Sequence, residues 1–173
     1  MREVIVYESM FGTTEELARA VAEGLGAADV VPVDTAPHDL AGHDLLVVGA
    51  PTHVHGLSRP ATRKAAAEQT PEGTRTHEPG MREWLATFQI LPPGLDTAVF
   101  ETRLAKPRWL TGSAARAVAK VLRRLGHAPV VPPASFFVET AGSKTRLVEG
   151  ERARARAWGA SLAAARRTRP GRA

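Results

Sequence analysis

A short segment near the amino terminus has the residue types and spacing of an anion site. Its residues are Ser9, Met10, Phe11, Gly12, Thr13 and Thr14. Backbone N–H groups at the start of a helix have no partner within the helix and carry partial positive charge. The glycine permits a close approach of the backbone to a ligand, and the hydroxyls can donate to an anion. The segment therefore predicts a phosphate site that works without lysine or arginine.

The same segment also fits ordinary helix capping, and the residues alone leave both interpretations open. Thr13, with Glu16 three residues later, matches a capping box in which Thr13 is the N-cap. Neither G-x-x-x-x-G-K-[ST] nor G-x-G-x-x-G follows the first apolar run of the chain. A P-loop NTPase and a dinucleotide-binding fold are therefore disfavoured.

A second segment with a terminal glycine follows the apolar run at residues 45–49. Its residues are Pro51, Thr52, His53, Val54, His55 and Gly56. Proline stiffens the exit from a strand and glycine permits a tight turn, so this segment can lie along a flat heterocycle. A metal pair of His53 and His55 is disfavoured because the segment offers no carboxylate or third ligand, and we expect no metal site. Two solvated loop histidines are the alternative.

A third segment, residues 101–113, is predicted to follow the fourth strand. Glu101, Thr102 and Arg103 open it, and we expect them beside the same ligand. Trp109 would either stack on a flat ring or pack onto the core, and the sequence leaves this open. The basic residues of the segment would either stabilise negative charge on the ligand or be solvated. They are Arg103, Lys106 and Arg108.

No catalytic residue is predicted. Glu8 and Glu101 follow the first and fourth predicted strands and could approach each other, but a hydrolase built on them is the least favoured interpretation. Thr111 or Ser113 is the expected cap of the next helix. The chemistry therefore rests on binding rather than on a catalytic constellation.

Five short apolar runs alternate with stretches of helical spacing. The runs are residues 4–7, 30–33, 45–49, 98–100 and 135–138. This alternation predicts an α/β fold, a doubly wound five-stranded parallel sheet with helices on both faces. In such sheets ligands bind beyond the carboxyl ends of the strands, where the segments above are expected. Met81, Trp84, Leu85 and Phe88 have helical spacing and predict a core-facing helix.

Length and composition indicate one domain. The 173 residues are divided into a domain at 1–165 and a basic tail at 166–173 that we expect to be frayed. The chain has no cysteine, which excludes disulfides, a thiolate nucleophile and cysteine-ligated metals. No signal peptide or membrane-spanning run is recognised, so a cytoplasmic location is expected.

The charge is unevenly distributed along the chain. Residues 1–50 hold nine acidic and two basic residues, whereas residues 51–173 hold nine acidic and 21 basic ones. A domain with an acidic and a basic part can orient an acidic partner or a phosphate ligand.

Taken in order along the chain, these segments resemble the flavodoxin-like family over nearly its whole length. The resemblance rests on the first strand with the 9–14 segment, the run at 45–53 with Gly56, the stretch 111–115 and the strand at 135–138. It implies the strand order 2-1-3-4-5 and FMN as cofactor, with the phosphate at residues 9–14. It also implies that segments 51–56 and 101–109 flank the ring, and that the role is electron transfer with a redox partner protein.

The chain departs from the family pattern at three points. Phe11 stands where many flavodoxins have threonine, and His53 and His55 stand where an aromatic residue is usual. Flavodoxins are typically acidic, whereas this chain has a net charge of +5, so its redox partner is expected to be acidic.

Two alternative functions remain on the same fold. One is an NAD(P)H-dependent FMN quinone reductase, which needs room for a substrate beside the flavin. The other is a flavodoxin-derived binding module that has lost FMN and docks an acidic protein or nucleic acid. Nucleic acid is disfavoured because no aromatic residues are interleaved with a basic patch.

Overall fold

Six strands form one sheet in the order β2-β1-β3-β4-β5-β6. The computed structural model describes residues 2–53, 56–68, 78–141 and 144–168. The strands are β1 (Glu3–Tyr7), β2 (Asp29–Pro32), β3 (Leu45–Pro51), β4 (Asp96–Leu104), β5 (Ala134–Ala141) and β6 (Lys144–Leu147). The helices are α1 (Thr13–Leu25), α2 (Pro60–Glu68), α3 (Met81–Ala86), α4 (Arg108–Thr111), α5 (Ala114–Arg124) and α6 (Glu151–Arg167), with a 3-10 turn at Val33–Thr35.

The first five strands are parallel and follow the predicted order, which confirms the doubly wound α/β fold. The prediction of five strands is wrong by one, because β6 pairs antiparallel with the end of β5. Its sequence, Lys-Thr-Arg-Leu, has no apolar run that would predict a strand. The strand is held by main-chain pairing and by an ion pair of 2.8 Å between Arg146 and Glu139.

The two faces of the sheet bury separate apolar cores. On β1, Val4 and Val6 face the core beneath α3 and α5, whereas Ile5 and Tyr7 face the core beneath α1 and α6. In α3 the side chains of Met81, Trp84 and Leu85 are buried, so the predicted core-facing helix is confirmed. Helices therefore cover both faces, and polar groups collect at the edges of the sheet.

Helices α1 and α6 pack backbone against backbone. A Cβ atom added at Gly159 would lie 2.3 Å from the carbonyl oxygen of Val21, and one at Gly24 would lie 2.0 Å from that of Arg156. Only glycine permits such an approach, so α6 is fixed closely against the helix that follows the 9–14 segment.

The boundary of the predicted tail at residue 166 is too early. Helix α6 continues to Arg167, and Arg166 is buried because it forms ion pairs with Glu3 and Asp96. Residues 169–173, the rest of that tail, lie outside the described residues. No helix in the described parts of the chain is long and apolar enough to cross a membrane.

Candidate functional site

A cleft of about 210 Å³ lies at the carboxyl edge of the sheet. Nine of its lining residues are among the contacts predicted from the three segments of the sequence. They are Met10, Phe11, Thr13, Thr14, Pro51, Thr52, His53, Thr102 and Arg103. The parallel strands bring these segments together as expected for a doubly wound sheet.

The 9–14 segment forms a tight turn that leads directly into α1. Gly12 is the N-cap of the helix, with a φ of 89° that favours glycine. Thr13 is the first helical residue, so its prediction as the N-cap of a capping box is wrong. The buried Ser9 hydroxyl accepts a hydrogen bond of 3.1 Å from the N–H of Gly12 and thereby closes the turn.

This N-cap leaves the start of α1 without a side-chain acceptor. Ser, Thr, Asp and Asn are preferred at this position because their side chains satisfy a first-turn N–H. Gly12 has no side chain that could do so, and no side-chain cap is formed among the described residues. The first-turn N–H groups are therefore available to an external anion.

Two hydroxyl contacts connect the turn and the second segment to β4. The hydroxyls of Thr14 and Thr102 lie 2.9 Å apart and form a buried hydrogen bond between α1 and β4. Thr52 donates a hydrogen bond of 2.9 Å to Glu101 and accepts one of 3.0 Å from the N–H of Ala114. These hydrogen bonds thus hold the residues that line the cleft in place relative to one another.

In the second segment, the described residues on either side of positions 54–55 pair with each other. His53 and Gly56 exchange backbone hydrogen bonds of 2.8 and 2.9 Å. Burial, together with the nearby charge of Arg63, lowers the pKa of His53, so its ring is neutral at neutral pH. Val54 and His55, two of the predicted contacts, lie outside the described residues. In the parts of the chain that the structure describes, no cluster of three or more potential ligands suits a metal ion.

The structure corrects the place of Glu101, Thr102 and Arg103, which were predicted to lie in a loop. Strand β4 continues to Leu104 because it pairs with β3 on one side and with β5 on the other. These ladder hydrogen bonds extend it through a polar stretch whose composition does not predict a strand.

The carboxylate of Glu101 lies beneath the cleft and is not among its lining groups. It is fully buried and accepts hydrogen bonds of 2.7 to 2.9 Å from three hydroxyls and one N–H. The donors are Thr52, Ser113, Ser135 and the N–H of Ala115. Glu101 therefore joins β3, β4, β5 and α5 and positions the groups above it.

Arg103 is a buried cation in the lining of the cleft. Its side chain is 6% exposed, and it donates to the carbonyl of Lys106 and, at 2.9 Å, to the Thr111 hydroxyl. Its Nε lies 4.0 Å from Glu101 and has no hydrogen-bond partner among the described residues. The interpretation of Arg103 as a solvated cation is therefore wrong.

Trp109 does not pack onto the core. It lies in α4 with 83% of its surface exposed and is not among the lining residues of the cleft. Ser113 rather than Thr111 is the cap of α5, since its hydroxyl accepts a hydrogen bond of 3.1 Å from the N–H of Arg116. The prediction that one of the two residues caps this helix is confirmed.

Four lining residues were not found from the sequence. Leu104, Val138, Thr140 and Thr145 complete the cleft on the side of β5 and β6. Val138 is aligned with Leu104, and Thr140 is aligned with Thr145 across the hairpin. The sequence offered one weak signal, a threonine on each side of residues 142–143.

Glu8 and Glu101 do not share an environment. Glu8 is fully buried, and its Oε2 accepts a hydrogen bond of 2.7 Å from the N–H of Met81. Burial raises the pKa of Glu8, against the opposing effects of Ser58 and the Met81 N–H. Because each carboxylate is bound by different groups, the geometry gives no support to a hydrolase built on this pair.

The comparisons with known proteins agree with this geometry. The Flavodoxin family model matches residues 5–85, slightly less than half of the chain. A search of the curated proteins found no match.

Solved structures resemble the chain over almost its whole length. Flavodoxin 1 from Bacillus cereus is 17% identical with a TM-score of 0.66, and the match covers 94% of this chain and 97% of that one. A flavodoxin from the domain Archaea is 17% identical with a TM-score of 0.64, covering 95% and 97%. The Flv1 flavodiiron core from Synechocystis sp. PCC6803 is 14% identical with a TM-score of 0.64, covering 98% of this chain and 37% of that one.

At these identities the solved structures establish the fold. The family model shows sequence similarity over residues 5–85, which include the 9–14 turn. Together they show a flavodoxin-like fold, as the sequence analysis predicted, with similarity to the Flavodoxin family over residues 5–85.

Proposed function

We propose that this flavodoxin-like protein binds FMN, with the phosphate held by the 9–14 turn, and transfers electrons through it. The observation that carries the proposal is the N-cap at Gly12, which leaves first-turn N–H groups of α1 to an anion. Ser9, Thr13 and Thr14 add hydroxyls at the same turn. The match of residues 5–85 to the Flavodoxin family model supports the choice of FMN.

Two walls of the cleft would hold the flavin ring. Pro51 ends β3, Thr52 and His53 follow it, and Thr102 and Arg103 come from β4. The neutral ring of His53 adds no charge beside the flavin, whereas Arg103 brings a buried positive one. The phosphate would therefore be bound by helix dipoles and hydroxyls, and the flavin ring would lie beside a cation.

Bound FMN supplies one- and two-electron chemistry that no side chain of this protein can supply. The residues of the chain bind it, orient it and adjust its reduction potential. A buried guanidinium beside the ring stabilises added negative charge, so Arg103 raises the potential at which FMN accepts electrons. Polar contacts of Thr14 with Thr102 and of Thr52 with Glu101 keep the lining groups in place.

The finer features of the role belong to the same proposal. We expect an acidic redox partner because the chain is basic, with a net charge of +5. The absence of cysteine is compatible with a reducing compartment, and a cytoplasmic location is the corresponding prediction. Oxidoreductase activity with a small substrate is a separate question, which steady-state turnover with NADH and a quinone would answer.

A titration with two flavins tests the proposal. Purified protein is added to FMN and, separately, to riboflavin, which lacks the phosphate, and flavin fluorescence is followed. We expect one FMN to bind per chain, about tenfold or more tighter than riboflavin, which corresponds to about 1.4 kcal/mol. Equal affinity for the two flavins would contradict a phosphate site in the turn, and no binding of either would contradict the function.

A further inference from the structure

Helix α5 presents an unbroken row of positive charge to solvent. Its four basic residues are all exposed and are spaced so that they share one side of the helix. They are Arg116, Lys120, Arg123 and Arg124, called here the α5 face together with Trp109. The chain around them, residues 102–138, holds seven basic residues and no acidic one.

These cations lack intramolecular partners of opposite charge. Elsewhere on the surface some exposed arginines pair with carboxylates, as in Arg152 with Glu23 at 2.6 Å and Arg19 with Glu15 at 2.9 Å. No ion pair with a residue of the α5 face occurs in the part of the chain that the structure describes. The positive charge of the α5 face is thus left for an external partner.

Part of this arrangement is unfavourable for the helix itself. Arg116 lies in the first turn, where the helix dipole disfavours a cation. Like charges four residues apart, as in Arg116 with Lys120 and Lys120 with Arg124, repel each other. Arg123 and Arg124 lie in the last turn, where the dipole favours cations, so folding accounts for part of the pattern and a role in binding gives the rest a physical reason.

The α5 face begins at the cleft. The N–H of Ala114 donates to Thr52, which lines the cleft, and the N–H of Ala115 donates to Glu101 beneath it. Arg124 lies eight residues beyond Arg116, about 12 Å along the helix axis. Trp109, 83% exposed, lies in α4, five residues before the first residue of α5, and offers a large exposed apolar group.

We propose that the α5 face is the docking surface for an acidic electron-transfer protein. The proposal rests on the function proposed above, because it places the partner next to the flavin cleft. Complementary charge accelerates encounter and orients the partner, and an exposed tryptophan is a typical anchor at the centre of an interface. A protein is favoured over nucleic acid because one aromatic residue does not make a stacking platform for successive bases.

The test uses an acidic plant-type [2Fe–2S] ferredoxin as the probe and measures its binding to the full chain at low and high salt. A double variant, Arg116→Gln with Arg123→Gln, removes two charges from the α5 face. The matched control, Arg156→Gln with Arg167→Gln, removes two exposed charges from α6, across the sheet. We expect the first pair to weaken binding about tenfold at low salt and the control to change it less than twofold.

Three results would overturn the docking surface. They are equal weakening by both pairs, no binding of ferredoxin by the unaltered chain, and tighter binding of a 20-base-pair DNA duplex than of ferredoxin. A Trp109→Ala variant is expected to weaken ferredoxin binding at high salt as well, where screening removes the charge contribution.

The proposed function is tested separately from the docking surface. Ferredoxin binding is measured without any flavin signal, and the same variants are titrated with FMN. Unchanged FMN affinity in the α5 pair is expected. If the protein without substitutions does not bind FMN, the proposed function is overturned. If the variant Arg116→Gln with Arg123→Gln binds ferredoxin as tightly as the protein without substitutions, only the docking surface is overturned.

Discussion

The two edges of the sheet each contain a buried arginine, and the two arginines have different surroundings. At the amino edge, Arg166 from α6 donates from all three nitrogens, to Glu3, to Asp96 at 3.0 Å and to the carbonyl of Asp44 at 3.2 Å. At the carboxyl edge, Arg103 keeps an Nε without a hydrogen-bond partner among the described residues.

This difference separates a structural charge from a binding charge. A buried arginine that donates from each of its three nitrogens to groups of the protein holds elements together. At the carboxyl edge the start of α1 lacks a side-chain cap, and the buried cation there faces a cleft. The amino edge is therefore expected to control stability, and the carboxyl edge to control binding.

The largest effect is expected at the amino edge. Arg166→Met removes the cation from beside the nearly buried carboxylates of Glu3 and Asp96, which costs about 3–5 kcal/mol. Urea denaturation measures the free energy of unfolding. The neighbouring exposed Arg167→Met is the control and should change it by about 0.5 kcal/mol or less. A small loss in Arg166→Met would remove the contrast between the edges.

Gly12→Ala should affect both stability and FMN binding. A side chain at a φ of 89° is strained by about 1–2 kcal/mol, and relief of that strain would distort the turn. Gly42 has a φ of 77° and open space around it, so Gly42→Ala is a matched control with similar strain away from the cleft. FMN affinity should fall about tenfold in the first variant and stay unchanged in the second, as measured by fluorescence titration.

Arg103→Gln should lower the two-electron reduction potential of bound FMN. Removal of a positive charge makes the uptake of electrons less favourable, by about 30 mV if the charge contributes about 1.4 kcal/mol. A spectroelectrochemical titration measures the shift. Lys106→Gln removes an exposed charge from the same segment and should give a smaller shift, so an equal shift in both variants would contradict a special role for the buried guanidinium.

The sequence predicted the central strands of the sheet better than the ends of its strands and helices. The apolar runs at 45–49 and 4–7 predict buried central strands and the place of the 9–14 turn, whereas the strand order was implied by the resemblance to the flavodoxin-like family. The ends of elements were less accessible: Arg103 lies in a strand because β3 and β5 pair with it, and Arg166 lies in a helix because Glu3 and Asp96, far away in sequence, bind it.

The remaining lining of the cleft required tertiary information. Thr140 and Thr145 meet only through the hairpin of β5 and β6, which has no apolar pattern. The N-cap was missed because Thr13 and Glu16 match a capping box, whereas in the structure the N-cap is Gly12, one residue earlier. Local sequence preference predicts a side-chain cap at the start of α1, but the turn leaves this helix end without one. Departures from local preference of this kind are expected at functional sites.

The smallest effect concerns Glu8, directly before the turn. Its native pKa is raised above its ordinary value of 4.5, so between these two values the native state holds a proton that the unfolded state has lost. The free energy of unfolding should therefore fall as the pH rises from 4.5 through the raised pKa. Glu8→Gln should flatten this dependence in urea denaturation between pH 4 and 8, whereas Glu149→Gln, at an exposed position, should retain it. An unchanged slope in Glu8→Gln would contradict the assignment.

The central claim is that the open start of α1 receives a phosphate, and a crystal structure of the protein grown with FMN tests it most directly. We expect the FMN phosphate within hydrogen-bond distance of first-turn N–H groups of α1 and of the Ser9 hydroxyl. FMN bound with its phosphate elsewhere, and the turn empty, would contradict the claim.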